Sequence, residues 1–450
     1  MFKSINPYNQ EVIETYGEFQ EDRIRILLET AELTFEGWRK TGFNERANYL
    51  RHTARLLKEN KDKYAKKMTL EMGKPISQAE SEIEKCAWVC EHYAENGEEF
   101  LKSEKIKSDA SQSYVTYEPL GTILAIMPWN FPYWQVFRFL APTIMAGNVA
   151  VVKHAPNVLG SAILIEELLQ EAGFPRGVYQ NLIVETDKIP EIIDHSVIKA
   201  VTLTGSGRAG SSVASLAGKS LKKSVMELGG SNAFVVLEDT DMDLAVEKGV
   251  FARMQNNGQS CIAAKRFFIH HGIFDEYIFR FLEKLKEYRV ADPMETDTLL
   301  GPMARTDLAE QLEKQIQDSV EQGAKLVTGG SREKAHFEPT ILTDIEPGMP
   351  AFDEELFGPA AAFARIDDLD DGIDKSNLSA YGLGISIFTS SIESVLSSVD
   401  KVQDGAVFVN ELVKSDPRLP FGGTKKSGFG RELGPQGIKE FVNTKTVYVA

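Results

Sequence analysis

The stretch NNGQSCIAAKR, residues 256–266, sets Cys261 among small and polar residues, whereas a structural cysteine usually sits in an apolar run. Gly258, Gln259 and Ser260 read as a loop or turn entering a helix, where backbone N–H groups would favour a thiolate. On their own, these eleven residues favour a solvated, inert thiol.

A second stretch, TGSGRAG, puts Gly205, Gly207 and Gly210 in G-x-G-x-x-G spacing after a run that reads as a strand and before one that reads as a helix. Free N–H groups at such a helix start suit a phosphate. Glu227, seventeen positions beyond Gly210, stands near where a Rossmann acid would meet a ribose. Because MELGG continues into Gly229 and Gly230, the same carboxylate reads as an exposed group able to act as a base. Asn130 in PWNFP, alone, reads as a turn residue. Cys86 and Cys90 stand four apart on one helical face, and no second Cys or His pair lies near at zinc-finger spacing, so core packing is expected and no metal site.

The elements that must position these groups follow from hydrophobic periodicity. In the first hundred residues Ile24, Leu27, Leu28, Ala31 and Phe35 recur at helical intervals. The texture turns to strand at SYVTYE and GTILAIM. NVAVVKHAP suits a strand buried on both faces, and SAILIEELLQEAGFP reads as a helix stopping at Gly173 and Pro175. Further strands are expected at QNLIVE and KAVTLTG, so the chain reads as βαβ units around a parallel sheet. A second series, FVVLED, KRFFIHH, AKLVTGG, AAFARI and GISIFTS, predicts a second α/β domain. The final KEFVNTKTVYVA reads as a strand in need of a partner.

Composition narrows the class. At 450 residues the chain has room for two or three domains. The net charge is −16 with basic residues scattered, which argues against nucleic acid and requires specific cations wherever an anionic ligand binds. No apolar run approaches a membrane span, and the N-terminus has neither signal-peptide nor transit-peptide character. With three cysteines there is no disulfide framework, so a reducing, cytoplasmic setting is expected.

Taken together, PWNFP, TGSGRAG, MELGG, GQSC, ELFGP and PFGGTKKSGFGREL occur in the order and approximate spacing of the NAD(P)-dependent aldehyde dehydrogenase superfamily, which the sequence resembles along nearly its whole length. PWNFPYWQVFRF, VVKHAPNV, GQSCIAAKRF and KSDPRLPFGG look most like the short succinate-semialdehyde dehydrogenases.

The resemblance implies roles. Cys261 is the nucleophile toward an aldehyde, Asn130 and the Cys261 N–H hold the oxyanion, and Glu227 activates the water that cleaves the thioester. For NAD or NADP it implies Ser206 and N–H groups around Gly205 and Gly210 at the pyrophosphate, Lys153 and Glu355 at the two riboses, Phe357 beside Glu355, and Met127 to Trp129 along the nicotinamide. Trp134 and Phe421 are implied as walls of the substrate tunnel. Arg138, with a hydroxyl from Ser415, is implied as the holder of a distal carboxylate. Arg418 is a further candidate cation. The expected reaction is oxidation of succinate semialdehyde, or of a similar short aldehyde, through a thiohemiacetal and thioester on Cys261. The alternatives are a broad-specificity aliphatic aldehyde dehydrogenase and a non-catalytic cofactor-binding scaffold. Glu227 disfavours a CoA-acylating enzyme, and no histidine stands in a motif that would activate the thiol for hydrolysis.

Four positions depart from the family pattern. Pro156 replaces a glutamate that repels a 2′-phosphate, so NADP should be accepted beside NAD. Phe139 replaces a lysine thought to pair with the glutamate of GREL, here Glu432, which puts a proton route through Glu432 in doubt. Ala263 removes a neighbouring thiol, and Gln255 replaces a second arginine of some relatives.

The implied fold is α/β, aldehyde dehydrogenase-like: a Rossmann-type cofactor domain (1–102 and 120–228), a catalytic domain (229–432) and a β-hairpin oligomerisation arm (103–119 and 433–450). The arm implies a homodimer or tetramer.

Overall fold

The computed structural model describes all 450 residues and contains two large sheets, one three-stranded sheet and three two-stranded pairs. The first sheet has six strands in the spatial order 428–429, 223–227, 198–204, 122–127, 149–154, 179–181. Five of these run parallel, and Thr122–Met127 pairs on one side with Val149–His154 and on the other with Ile198–Thr204. The chain therefore winds outward in both directions from this central pair, which opens a crevice at the carboxyl ends of the strands. Val149–His154 is buried along its whole length, as continuous Val and Ala require when helices cover both faces.

Four helices, Glu21–Trp38, Phe43–Glu59, Lys61–Met72 and Ile76–Phe100, carry the early chain. In the first of them Ile24, Leu27, Leu28, Ala31 and Phe35 are all buried, so its 3.6-residue period is a packing face. Cys86 and Cys90 lie fully buried in the largest core. The helix Leu159–Glu171 ends where Gly173 takes φ +93°, a conformation that L side chains rarely adopt.

The second sheet has seven strands ordered 325–328, 340–343, 360–366, 264–270, 232–236, 385–388, 407–409. The AKLVTGG segment forms its edge and runs antiparallel to Thr340–Thr343. The third sheet pairs Val442–Val449 with Gln112–Pro119 over eight residue pairs, with Glu104–Lys105 on the other side.

Several expectations change. The first element is a hairpin, Phe2–Ile5 with Val12–Tyr16, ahead of the helices. Of QNLIVE only Gln180 and Asn181 are strand, within the short Tyr179–Asn181. Gly428–Phe429, expected in the catalytic domain, joins the first sheet beside Met226 and Glu227. Leu433, Ile438 and Phe441, expected in the arm, are buried in the core that the first sheet shares with the early helices. The arm pairs Gln112–Pro119 with Val442–Val449 as expected but is three-stranded, because Glu104–Lys105 adds to the other edge of Gln112–Pro119.

Candidate active site

Cys261 lies at the meeting point of two cavities. One, of ≈ 380 Å³, opens at the crevice of the first sheet and is lined by Trp129, Asn130, Gly205, Ser206, Glu355 and Phe357. The other, of ≈ 320 Å³, reaches Cys261 from the opposite side and is lined by Trp134, Arg138, Ser415 and Phe421. Only Cys261 and Gln135 border both.

The loop carrying the thiol is held by side chains on every side. The helix Met242–Met254 ends and the backbone turns through Asn256 and Asn257, both left-handed at φ 54° and 56°. Asparagine tolerates this conformation best among residues with a side chain. Asn257 Nδ2 donates to the Gly73 and Pro302 carbonyls at 2.8 Å each, and Asn256 Nδ2 donates to the Asn130 carbonyl at 2.8 Å. Arg253, fully buried, donates to the Gly258, Ala264 and Gly358 carbonyls. Lys265 Nζ donates to the Ser260 and Cys261 carbonyls at 2.7 and 2.8 Å and pairs with Glu355 at 3.2 Å. The chain after Cys261 enters the strand Ala264–His270, not a helix. The expected helix N-terminus is therefore absent, and burial pushes the Cys261 thiol up to about 11, against the opposing pull of Arg138 and Lys265.

The Asn130 amide donates one N–H to the Gln259 carbonyl at 3.0 Å, which fixes it beside the nucleophile and leaves its second N–H. The backbone N–H of Cys261 donates to no protein acceptor. These are two donors next to the sulfur, the arrangement an oxyanion needs.

Glu227 is the last residue of its strand and is 2% exposed, where exposure was expected. The following glycines open no path to solvent. Gly229 makes room for Glu355, whose Oε2 would stand 2.4 Å from an added Cβ, and Gly230 makes room for the Cys261 carbonyl. Glu227 borders neither cavity and its Oε1 has no hydrogen-bond partner. Burial holds its carboxyl well above the ordinary range, with the Arg138 charge opposing.

On the cofactor side, Ser206 caps the helix Gly207–Lys219 by accepting from the Ala209 N–H. Of the remaining N–H groups that of Gly207 borders the cavity without a protein acceptor, whereas the Gly205 N–H, expected at the pyrophosphate, donates to the Glu227 carbonyl at 2.9 Å. Gly210 does not face it. Its N–H is spent on the Ser206 carbonyl, and an added Cβ would meet Leu228 at 2.4 Å, so this glycine serves close helix–strand packing. Glu355 accepts from the Gly230 N–H at 3.0 Å, and Phe357 meets Trp129 edge-on at 5.7 Å. Met127 is buried at the strand end beneath. Lys153 lies one strand over, by a small separate recess; it is 7% exposed, and its ammonium contacts only the His154 carbonyl at 3.5 Å. A buried cation in no direct ion pair, a capped helix start and a carboxylate poised at the crevice fit a dinucleotide.

Arg138 departs most from its expected role. Its guanidinium forms a buried ion pair with Glu432, donates to Thr204 Oγ1 at 3.3 Å and lies over the Phe421 ring. It is thus already paired with a carboxylate of the protein, and it supplies the cation that Phe139 could not. Arg418 grips Asp416 through two hydrogen bonds of 2.8 and 2.6 Å. Residues that the sequence reading passed over are Arg253, Asn257, Lys265 and Lys85, the last donating to Ser415 Oγ at 2.9 Å. Gln78, Ser81, Glu82 and Lys85 recur at helical spacing as polar groups in the apolar period of Ile76–Phe100, and that was their signal.

A doubly wound sheet with a nucleotide crevice, a second α/β sheet and a cysteine between two cavities define a thiol-dependent oxidoreductase of the nicotinamide class. The Aldehyde dehydrogenase family model matches residues 1–447, and the chain belongs to this family. It is 45% identical to a probable NADP(+) succinate-semialdehyde dehydrogenase of Synechocystis sp., covering 99% of both chains. It is 44% identical to an NAD(P)+ succinate semialdehyde dehydrogenase of Escherichia coli, covering 99% of this chain and 97% of that one. The solved succinic semialdehyde dehydrogenase of Streptococcus pyogenes, in complex with NADP+, superposes with a TM-score of 0.97 at 37% identity, over 100% of both chains.

Proposed function

We propose that this enzyme oxidises succinate semialdehyde to succinate with NADP or NAD. The observation that carries the reading is the position of Cys261 between a dinucleotide crevice and a cavity with cationic walls. Full-length similarity to succinate-semialdehyde dehydrogenases supports the substrate class.

The Cys261 thiol first gives its proton to water in the adjoining cavity; the thiolate sulfur then adds to the aldehyde carbon as the C=O π bond opens, and the oxygen that becomes anionic is met by Asn130 Nδ2 and the Cys261 N–H. Bound NAD(P) supplies the hydride acceptor. The thioester left on Cys261 is cleaved by water; Glu227, buried behind both cavities, turns its side chain toward Cys261 to take a proton from that water, and sulfur leaves as the new carboxylate forms. With its carboxyl buried and raised, Glu227 releases a proton before it can act as this base, and Arg138 beside it favours that release. For the cofactor, a Lys153 without a carboxylate partner and Pro156 in place of an acid support acceptance of a 2′-phosphate. The free edges of the arm support a homodimer or tetramer, and the three free cysteines support a reducing, cytoplasmic setting. No helix is long and apolar enough to cross a membrane.

Reduced cofactor is followed with succinate semialdehyde and with butanal, each with NAD and NADP, and with Cys261→Ala as control. Turnover that favours the semialdehyde and vanishes in the variant is expected. Equal use of both aldehydes would replace this reading with a broad-specificity aliphatic aldehyde dehydrogenase.

A further inference from the structure

Four cations line the substrate-side cavity: Lys74, Lys85, Arg138 and Lys414. Three are neutralised by carboxylates of the protein, Lys74 by Glu82, Arg138 by Glu432 and Lys414 by Glu411. Lys85 is the exception. Its ammonium pairs with no carboxylate, donates to Ser415 Oγ at 2.9 Å and lies 4.3 Å from the centre of the Trp134 ring.

We propose that Lys85, together with the Ser415 hydroxyl, binds the distal carboxylate of the substrate, an assignment that rests on the semialdehyde reading above. The helix Ile76–Phe100 turns Gln78, Ser81, Glu82 and Lys85 onto one face toward the cavity, and Lys85 reaches Ser415 and Trp134 from there. Ser415 accepts from Lys85 and donates to nothing in the protein. Its O–H and the remaining N–H groups of Lys85 are therefore two neighbouring kinds of donor facing one cavity, and a carboxylate accepts from both.

Electrostatics agrees with the geometry. Burial pushes the Lys85 ammonium down to about 8, and the positive charge of Arg138 adds to the shift. A carboxylate brought into contact reverses that cost, so the site gains most from an anionic ligand and little from a neutral one. The same arrangement explains how a chain of net charge −16 selects an anionic substrate without freeing Arg138 from Glu432.

The test compares Lys85→Met, Lys85→Arg and Ser415→Ala with the unaltered enzyme, using kcat/KM for succinate semialdehyde and for butanal. In Lys85→Met the preference for the semialdehyde over butanal is expected to fall roughly 10- to 100-fold, mainly through KM. Lys85→Arg restores much of it, and Ser415→Ala loses a smaller part. Succinate binding to the cofactor-free enzyme, read by quenching of Trp fluorescence, should weaken in the same order. If the unaltered enzyme shows no preference, the semialdehyde reading fails. If it does prefer the semialdehyde and Lys85→Met keeps both that preference and succinate binding, the Lys85 assignment alone is overturned.

Discussion

Arg138 and Glu432 form an ion pair with both side chains buried, and the guanidinium lies 4.6 Å from the centre of the Phe421 ring. Glu227 stands within the field of both groups. One guanidinium thus serves two buried carboxyls at the back of the active site. Phe139, in the position where the family often has a lysine, packs edge-on against Phe441 at 5.9 Å instead.

Removing one member of this pair leaves the other charged and dry. Arg138→Met is expected to destabilise the enzyme by about 3–5 kcal/mol in chemical denaturation at fixed protein concentration. Arg138→Met with Glu432→Gln should recover much of that loss. A single variant as stable as the parent would show that Glu432 takes up a proton at no appreciable cost.

Burial sets the reactivity of the thiol before cofactor binds. With Cys261 pushed up to about 11, the thiolate fraction near neutral pH is small. Iodoacetamide inactivation of the cofactor-free enzyme should quicken by roughly tenfold per pH unit between pH 7 and 9, as expected for a thiol well below its pKa. A rate already level at pH 7 would mean that the thiolate is stabilised by groups other than Arg138 and Lys265.

Lys153 makes no direct ion pair and feels only the more distant Glu185. Lys153→Ala should raise KM for NADP by roughly tenfold or more, and by less for NAD, because only NADP brings a phosphate to the adenosine ribose. Equal changes for both cofactors would confine Lys153 to the part they share.

The arm strand Val442–Val449 covers one edge of Gln112–Pro119 over its full length. Light scattering should report a dimer or tetramer for the full chain. Deleting residues 442–450 should shift the population to smaller or aggregated species, since an eight-residue edge loses its partner. An intact chain that runs as a monomer would contradict the arm's assembly role.

Gly229 leaves no space for a side chain, since an added Cβ would stand 2.4 Å from Glu355 Oε2. Gly229→Ala should displace Glu355 and raise the cofactor KM, with the thiol still open to alkylation. Unchanged cofactor kinetics would remove Glu355 from the nicotinamide side.

Much of the site was legible in the residues themselves. Cys261, Asn130, Ser206, Glu355 and Phe357 sit in short motifs whose chemistry depends on local spacing, and each comes to one cavity. The alternation of strands and helices around NVAVVKHAP likewise specified a parallel sheet, because continuous apolar strands need cover on both faces. What the sequence could not determine was the environment of each charge. Glu227 next to two glycines reads as exposed, yet Gly422 and the strand Gly428–Phe429, two hundred residues later, close over it. Arg138 reads as a free cation until Glu432, nearly three hundred residues later, comes to it, and nothing in the sequence singles out Lys85 until Ser415 and Trp134 enclose it. A residue's type and spacing determine what chemistry it can do; whether its charge is neutralised or left available depends on partners distant in sequence, which only the tertiary fold brings within reach.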